Sequence, residues 1–174
     1  MTTSSRTLTE WFSAFEEEAF RLETLDDYSK SGGVEAYQAF LAGAEPPQSF
    51  RSADWVTTVR NATDAGKRMY RVHILARPLT DYLRFELAWG YCRNLQAGEE
   101  FFILDTTEQE NPIPDAPDFW MFDNRTVASM SYADGKFLGA DLHGDERLPE
   151  FTSYRDNAMA HAEPFTEWWA KHGE

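Results

Sequence analysis

The sequence predicts an α+β protein in which flanking helices pack on a mixed sheet of about five strands, with one βαβ crossover and an antiparallel meander. Apolar residues at helical spacing in the first third, a switch to strand-like alternation at Met69, and three further strand-like segments after a proline-rich stretch predict this class. The chain has 174 residues, and 15% of them are aromatic. We therefore expect one well-packed domain over residues 1–174.

The first third of the chain is predicted to be helical. Apolar residues recur at i, i+3, i+4 and i+7 over residues 8–20, the pattern of an amphipathic helix. A shorter helix is predicted over residues 34–41, before the helix-stopping Gly43. A third helix is predicted to begin at Ser52, a suitable N-cap, and to end at Gly66.

A strand–helix–strand unit is predicted over residues 69–105. Residues 69–75 alternate with the period of two of a strand, and a capped helix follows from Asp81 to about Gln96. The unbroken apolar run at 101–104 is typical of a strand covered on both faces. This spacing predicts a right-handed crossover that makes the two strands parallel neighbours.

The last third is predicted to contain the meander and a closing helix. Residues 106–118 contain three prolines among acidic residues and are predicted to be an exposed loop. Three strands are then predicted at residues 119–122, 126–132 and 136–142. Asp134-Gly135 is a strong hairpin signal because both residues tolerate positive φ. A helix over residues 148–162 follows.

The charge balance limits the partners of the protein. Sixteen Lys and Arg residues against 30 Asp and Glu residues give a net charge of −14, which repels phosphate backbones and anionic membranes. Direct nucleic-acid and membrane binding are therefore not expected. The single cysteine, Cys92, excludes an internal disulfide and fits a reducing compartment. Since no stretch approaches 18 apolar residues, we expect a cytoplasmic protein.

Familiar catalytic motifs are absent from the sequence. It contains no glycine-rich dinucleotide or phosphate loop, no zinc-protease helix and no nucleophile elbow. The four histidines are scattered at positions 73, 143, 161 and 172, so neither a metal nor a cofactor is expected. Whether the protein is an enzyme is left open.

The most informative stretch is Leu79–Tyr91. On a helix, its leucines recur every fourth residue, and Glu86 lies in the adjoining row between Tyr82 and Trp89. Glu86 is therefore flanked by apolar neighbours. A carboxylate in that position must find a partner, or its pKa rises and it keeps its proton.

Two interpretations of Glu86 remain open. Arg71 and His73 share one face of the preceding strand, so either side chain could meet Glu86 across the gap between helix and sheet. Glu86 is then a paired residue that fixes packing, or it is a base or anchor in a pocket, with His73 as an alternative base. The predicted pocket walls are Tyr82, Trp89 and Tyr91.

Further candidate binding residues are charged. Arg71 or Arg84 could clamp an anionic leaving group of a substrate. Asp123 and Arg125 follow a strand and either form a tight turn with Asn124 or line a ligand site at the sheet end.

Several blocks of the sequence resemble an actinobacterial family of unknown function. These blocks are Arg21–Leu25, Leu79–Tyr91 with its L-T-D-Y-L-R-F-E-L run, Asn94 with Ala97–Glu99, Phe119–Asp123, and Lys136–Ala140. Members of that family are often encoded beside helix-turn-helix regulators. The resemblance implies Tyr82, Arg84, Glu86, Asn94, Gly98 and Asp123 as positions that match its motifs. It implies no reaction.

A weaker similarity links the order of elements to half of a phospholipase D-like domain. Strand, helix, Asn94-x-x-x-Gly98, strand and meander follow that order. The diagnostic His-x-Lys-x-x-x-x-Asp is missing because residues 119–125 contain neither His nor Lys. This resemblance therefore implies a binding derivative without phosphodiester chemistry.

Two functions are compatible with these observations. The first is a non-catalytic partner or ligand-sensing module that modulates a helix-turn-helix regulator, with Trp168 and Trp169 as interface anchors. The second is a small enzyme, or enzyme subunit, of specialised metabolism. Similarity to members in biosynthetic gene clusters implies that it would form an azabicycle-type ring by elimination on an amino-acid-derived substrate.

Overall fold

The computed structural model describes residues 7–173, and within them it contains one mixed sheet of seven strands in the order β6-β5-β4-β1-β2-β3-β7. The strands are β1 Glu18–Glu23, β2 Arg68–Leu75, β3 Glu100–Asp105, β4 Asp118–Phe122, β5 Thr126–Ala133, β6 Lys136–His143 and β7 Glu163–Pro164. The α-helices are α1 Leu8–Ala14, α2 Val34–Leu41, α3 Gln48–Arg51, α4 Asp54–Asp64, α5 Asp81–Phe85, α6 Cys92–Ala97, α7 Leu148–His161 and α8 Phe165–His172. A π-helical segment, Glu86–Tyr91, joins α5 to α6, and a 3-10 turn, Asp145–Arg147, precedes α7.

The sheet combines a parallel half with an antiparallel half. Strands β1, β2 and β3 are parallel neighbours, while β4, β5 and β6 form an antiparallel meander that joins the parallel half through β4 and β1. The predicted parallel pairing across the crossover is therefore confirmed. The hairpin between β5 and β6 turns at Asp134-Gly135, where both residues have positive φ, as predicted.

The prediction of about five strands is wrong because it omits β1 and β7. The predicted helix over residues 8–20 ends at Ala14, and Phe15 already has extended backbone angles. β1 is central, and its residues Ala19 to Glu23 are buried although Arg21 and Glu23 are charged. The acidic run Glu16–Glu18 is typical of an exposed helix face, which explains why the predicted helix extends into β1. β7 pairs with β3 over two residues and is too short to give a sequence pattern.

A distant carboxylate explains why the chain leaves the helix before β1. The Asp123 side chain accepts hydrogen bonds from the backbone N–H groups of Glu16, Glu17 and Glu18 at 2.8, 2.7 and 3.0 Å. Three successive N–H groups that point at one carboxylate cannot all belong to a continuing helix. Asp123 itself has a positive φ of 55° in the turn after β4.

The two faces of the sheet differ in chemistry. One face is apolar in all the central strands and packs against α7, with Phe20, Val72 and Phe119 at its centre. The opposite face is covered by α4, by the helix around the π-helical segment and by α8. Because side chains alternate along a strand, this second face receives the charged residues of β1 and β2.

The helix predicted from Asp81 to about Gln96 is continuous, but its centre is π-helical. Thr80 caps its start, and Gly98, with φ of 104°, ends it. A Cβ atom on Gly98 would lie within 3 Å of the Thr63 side chain, so glycine is required there for space as well as for backbone conformation.

The prediction that Ser52 caps the third helix is wrong. The helix α4 begins after Ala53, and the Ser52 hydroxyl instead donates to the Gln48 carbonyl of α3.

The C-terminal helix α8 is fixed to the sheet by a buried tryptophan. Trp168 is fully buried, and its indole N–H donates to Asp105 at the end of β3 at 2.9 Å. Arg77 donates to the same carboxylate oxygen at 2.7 Å. Burial disfavours the charged carboxylate, but hydrogen bonds from Thr107, Trp168 and Arg77 outweigh it and lower the pKa of Asp105 to about 2.

None of the helices among residues 7–173 combines the length and apolar character that a membrane crossing requires.

We expect Asp105→Asn to lower the free energy of unfolding by about 1–2 kcal/mol at pH 7, because an amide replaces an acceptor that serves several donors. A folded-state pKa below the unfolded value means that the stabilisation is complete above about pH 4 and disappears as the pH falls through about 2. Urea unfolding between pH 7 and 2.5 measures both effects. Asp141→Asn, on the exposed side of β6, is the control. A deficit that persists in acid would contradict the assignment.

Candidate functional site

The candidate site is built on the polar face of the two central parallel strands. The register of β1 and β2 places Arg21 beside Arg71 and Glu23 beside His73. All four side chains point to the same face of the sheet, since they occupy alternate positions in each strand. Exposure of these residues is small, and His73 is completely buried.

Arg71 joins two buried carboxylates. Its Nη1 donates to Glu23 Oε1 at 2.9 Å, and its Nε donates to Glu99 Oε1 at 2.8 Å. Burial disfavours the guanidinium charge, but Glu99 and Glu23 outweigh it and raise the pKa of Arg71 well above its usual value. Trp55 donates its indole N–H to the other oxygen of Glu99 at 3.2 Å. Arg71 therefore stays charged and links β1, β2 and the turn after α6.

Arg21 has its own acidic partner, Asp118, on the neighbouring strand β4. The Arg21–Asp118 distance is 3.0 Å, and both side chains are buried. Asp118 also accepts hydrogen bonds from the backbone N–H and the hydroxyl of Thr24, and from the hydroxyl of Tyr28. These bonds fix the chain segment that follows β1.

Glu86, His73 and Glu23 come together where the π-helical segment crosses β2. His73 Nδ1 lies 3.7 Å from Glu86 Oε2 and 3.9 Å from Glu23 Oε2. One ligand-type atom from each of the three residues lies within 4.8 Å of the other two. His73 Nε2 is 2.8 Å from the carbonyl oxygen of Leu25. Since a carbonyl only accepts, Nε2 carries the hydrogen of this bond.

Tyr91, at the end of the π-helical segment, is the fourth residue of this group. Its hydroxyl lies 3.0 Å from His73 Nδ1 and donates to Glu23 Oε1 at 2.9 Å. A π turn is about one residue longer than an α turn, so residues five apart in sequence lie above one another. The π-helical segment thereby brings Tyr91 to the same side of the helix as Glu86.

The two glutamates differ in protonation. Burial opposes ionisation of Glu23, but Arg71 and His73 outweigh it and hold the pKa of Glu23 far below its usual range. Burial, followed by the charge of Glu23, raises the pKa of Glu86 well above its usual value. Glu86 Oε2 is buried and accepts no hydrogen bond from residues 7–173. The two carboxyl groups can share a hydrogen bond only when one of them is protonated.

An open cavity of about 740 Å³ reaches this polar face from the surface. Arg21, Arg71, Glu86 and Tyr91 line its inner part. Eight aromatic residues belong to the remaining wall: Phe12, Phe50, Trp55, Tyr82, Phe85, Trp120, Tyr132 and Phe137. A cavity of this volume, apolar with a few convergent polar groups, is typical of small-molecule sites.

Arg93 in the cavity wall differs from the two arginines of the sheet. Its Nε donates to Asn94 Oδ1 at 2.8 Å and its Nη1 to the Phe50 carbonyl at 3.0 Å, with the guanidinium stacked on the Phe50 ring. Over residues 7–173 it forms no ion pair with a carboxylate. Burial lowers the pKa of Arg93 from its usual value. An anionic ligand would relieve this burial cost.

The structure brings together some of the sequence-predicted site residues. Arg71, Tyr82, Glu86 and Tyr91 line the cavity, and His73 lies directly beneath Glu86. Only 13% of the Glu86 side chain is exposed, as expected for a carboxylate among apolar neighbours.

Four predicted site residues lie elsewhere. Arg84 is half-exposed, lies 3.8 Å from Asp81 and borders a separate depression beside α8. Trp89 packs on Phe40 and Phe50, because the π-helical segment changes the phase of the helix after Glu86. Asp123 binds the backbone before β1, and Arg125 is exposed in the turn after β4. We leave these four residues out of the site.

Five important residues were missed by sequence reasoning: Arg21, Glu23, Arg93, Glu99 and Asp118. Arg21 and Glu23 belong to the strand that was read as the end of a helix and the segment after it. The missed signal was the Arg21–Leu25 block, which supplies both of them and the carbonyl that anchors His73. Asp118 and Glu99 stand at element boundaries, where periodicity carries no information.

Comparison with known proteins places the chain in a family. A family model described as Domain of unknown function (DUF6879) matches residues 6–170. Because the match covers nearly the whole sequence, the chain belongs to this family, which agrees with the expected family of unknown function. No curated protein matches the chain. The assignment leaves the chemistry of the cavity to be argued from its own residues.

We expect Asp118→Ala to destabilise the protein by about 3–5 kcal/mol, because it leaves the buried Arg21 guanidinium without its counter-charge. The double variant Arg21→Met/Asp118→Ala should lose much less stability than the sum of the losses in Arg21→Met and Asp118→Ala. Equilibrium urea unfolding of the three variants measures the coupling. The exposed Arg147–Glu150 pair is the matched control, and Arg147→Ala should cost less than about 1 kcal/mol. Additive losses at the buried pair would contradict the expected coupling.

Proposed function

We propose that this protein is a ligand-binding module that holds an aromatic or apolar small molecule bearing an anionic group. The single observation that carries the proposal is the cavity that reaches from the surface to the polar face of the sheet. Its volume of about 740 Å³ suits a small organic molecule. Its aromatic walls favour a planar or apolar body.

The anionic group of the ligand is assigned from Arg93. Arg21 and Arg71 are held by Asp118 and by Glu23 with Glu99, so their charges are already balanced. Arg93 donates only to neutral oxygens and keeps further N–H donors for a carboxylate. Arg93 is therefore the guanidinium best placed to bind an anion.

We expect indole-3-acetate to bind at least tenfold more tightly than its neutral isostere indole-3-acetamide, since a hydrogen bond between charged groups contributes about 1.5–3 kcal/mol. Arg93→Gln should remove this preference. Arg84→Gln, an arginine outside the cavity, should retain it. Titration calorimetry and ligand-observed NMR give the affinities.

A second variant tests whether the cavity itself is the site. A Cβ atom at Gly90 would meet Glu86 Cγ at an ordinary 3.8 Å, so Gly90→Met should fold and fill the inner cavity. This substitution should weaken the binding of indole-3-acetate and of indole-3-acetamide to a similar degree. Equal affinity for acid and amide in the wild type, or unchanged binding in both Arg93→Gln and Gly90→Met, would overturn the proposal.

We further propose a regulatory role, in which the ligand-bound protein would act on a helix-turn-helix regulator. The net charge of −14 supports a basic partner. Trp168 is buried and unsuited to anchor a partner, whereas Phe137, Leu138 and Leu142 are exposed on the edge strand β6. Co-purification with a co-expressed helix-turn-helix neighbour should weaken with salt and in Leu138→Lys. A chain that stays alone at low salt would defeat this role.

A small enzyme is the second candidate, and one observation favours it. Glu86 and the Tyr82 hydroxyl belong to the cavity wall beside the buried His73, so polar groups able to act on a bound molecule are present. In the proposed ring-closing reaction, an amine nitrogen of an amino-acid-derived substrate would bond to the carbon that carries a sulfate or phosphate group, and that group would leave as an anion near Arg93 rather than Arg84. Glu86 or His73 would take the proton that the amine loses. Turnover of the gene-cluster intermediate tests it, and full turnover by Glu86→Gln would exclude Glu86 from the reaction.

A further inference from the structure

We infer that Glu23, His73 and Glu86 form a binding site for a divalent transition-metal ion at the inner end of the cavity. This site is independent of the organic ligand proposed above, because it uses neither Arg93 nor the aromatic wall. Three observations carry the inference: the spacing of the ligand atoms, the orientation of the His73 ring, and a local deficit of positive charge.

The spacing of the ligand atoms fits one metal ion. His73 Nδ1 lies 3.7 Å from Glu86 Oε2 and 3.9 Å from Glu23 Oε2. Around a tetrahedral ion with bonds of about 2.0–2.2 Å, neighbouring ligand atoms lie roughly 3.3–3.6 Å apart. The two distances from His73 Nδ1 exceed this spacing by only a few tenths of an ångström, and the ligand atoms of the two glutamates lie within 4.8 Å of each other. Glu86 lies in the π-helical segment and borders the cavity, so open space adjoins its side chain.

The His73 ring is already oriented as a metal ligand. Metal-bound histidines usually donate their second ring N–H to a carbonyl or carboxylate, and this bond fixes the ring and its tautomer. His73 Nε2 makes such a bond to the Leu25 carbonyl at 2.8 Å. The lone pair of the neutral ring then lies on Nδ1, which faces both glutamates.

The group contains more acceptors than hydrogens to satisfy them. Tyr91 has one hydroxyl hydrogen, and both His73 Nδ1 and Glu23 Oε1 lie within hydrogen-bond distance of it. Glu86 Oε2 receives no hydrogen bond from residues 7–173, although the atom is buried. A bound cation would satisfy these oxygen and nitrogen lone pairs together.

The balance of buried charge also favours a doubly charged ion. In the connected buried group, two guanidinium groups, Arg21 and Arg71, face four carboxyl groups. These are Glu23, Glu86, Glu99 and Asp118. An ion that displaces the Glu86 proton and binds the neutral ring of His73 leaves all four carboxyl groups ionised. The excess is then two negative charges, which one divalent cation neutralises. One imidazole and two carboxylates suit a borderline ion such as Zn²⁺ or Co²⁺, rather than Mg²⁺ or Ca²⁺, which prefer oxygen ligands alone.

Titration of the tag-free full chain with Zn²⁺ tests the site. We expect one ion per chain by calorimetry, visible absorption bands when Co²⁺ replaces Zn²⁺, and no comparable binding of Mg²⁺ or Ca²⁺. Glu86→Gln should weaken Zn²⁺ binding at least tenfold and remove the Co²⁺ bands. Glu35→Gln, the same substitution at another glutamate of the cavity, is the matched control and should bind as the wild type does.

Two outcomes would overturn the inference. In the first, the folded wild-type protein binds neither ion, and a proton alone holds the carboxyl groups together. In the second, Glu86→Gln binds Zn²⁺ as tightly as the wild type, which would place the ion on surface groups. Circular dichroism of Glu86→Gln confirms that the variant is folded. Since indole-3-acetate is absent from these titrations, their result does not depend on the proposed ligand.

Discussion

The ion pairs of Arg71 with Glu23 and Glu99 are the constraint on which the centre of this structure depends. Arg71 lies on a strand with neighbours on both sides, so its charge has no path to bulk water along the sheet. A buried guanidinium without partners would cost several kcal/mol. Glu23 on β1 reaches the Arg71 guanidinium only in the observed parallel register. Glu99 reaches the same guanidinium only when the preceding helix ends at Gly98. Electrostatics therefore specify both the strand pairing and the helix end.

The two faces of the sheet have different roles: the apolar face stabilises the fold, and the polar face positions charged groups. The α7 face buries a continuous set of large apolar side chains, and among residues 7–173 no charged side chain is fully buried in it, so it supplies a large part of the hydrophobic stabilisation. The opposite face buries charged residues in place of some apolar ones, so it contributes less hydrophobic stabilisation, and a helix covers these charged residues. The π-helical segment allows this arrangement because it brings Glu86 and Tyr91 to the same side. Such segments occur frequently at functional sites.

Sequence patterns were sufficient where local periodicity decides the structure. The crossover strands, the meander and its Asp134-Gly135 turn follow from alternation and turn chemistry alone. The failures share a different cause, which is a partner distant in sequence. β1 begins where Asp123 binds three backbone N–H groups, a contact across more than 100 residues, and its charged residues are buried only because β2 and β4 supply counter-charges. Glu86 was found because its own helix surrounds it with apolar residues, whereas Glu23 and Glu99 required the assembled sheet.

The distribution of charge around the cavity restricts how any molecule can bind in it. Arg93 provides a cation in the cavity wall, where it donates hydrogen bonds to two neutral oxygens and stacks on the Phe50 ring. The sheet side offers an excess of carboxyl groups around His73. An anionic group placed against Glu86 would meet two carboxyl groups, whereas the same group at Arg93 would meet a guanidinium that forms no ion pair with a carboxylate of residues 7–173. A ligand that binds as proposed would therefore take one orientation, with its anionic group at Arg93 and with a positive centre, whether an amine, a proton or a metal ion, favoured beside Glu86.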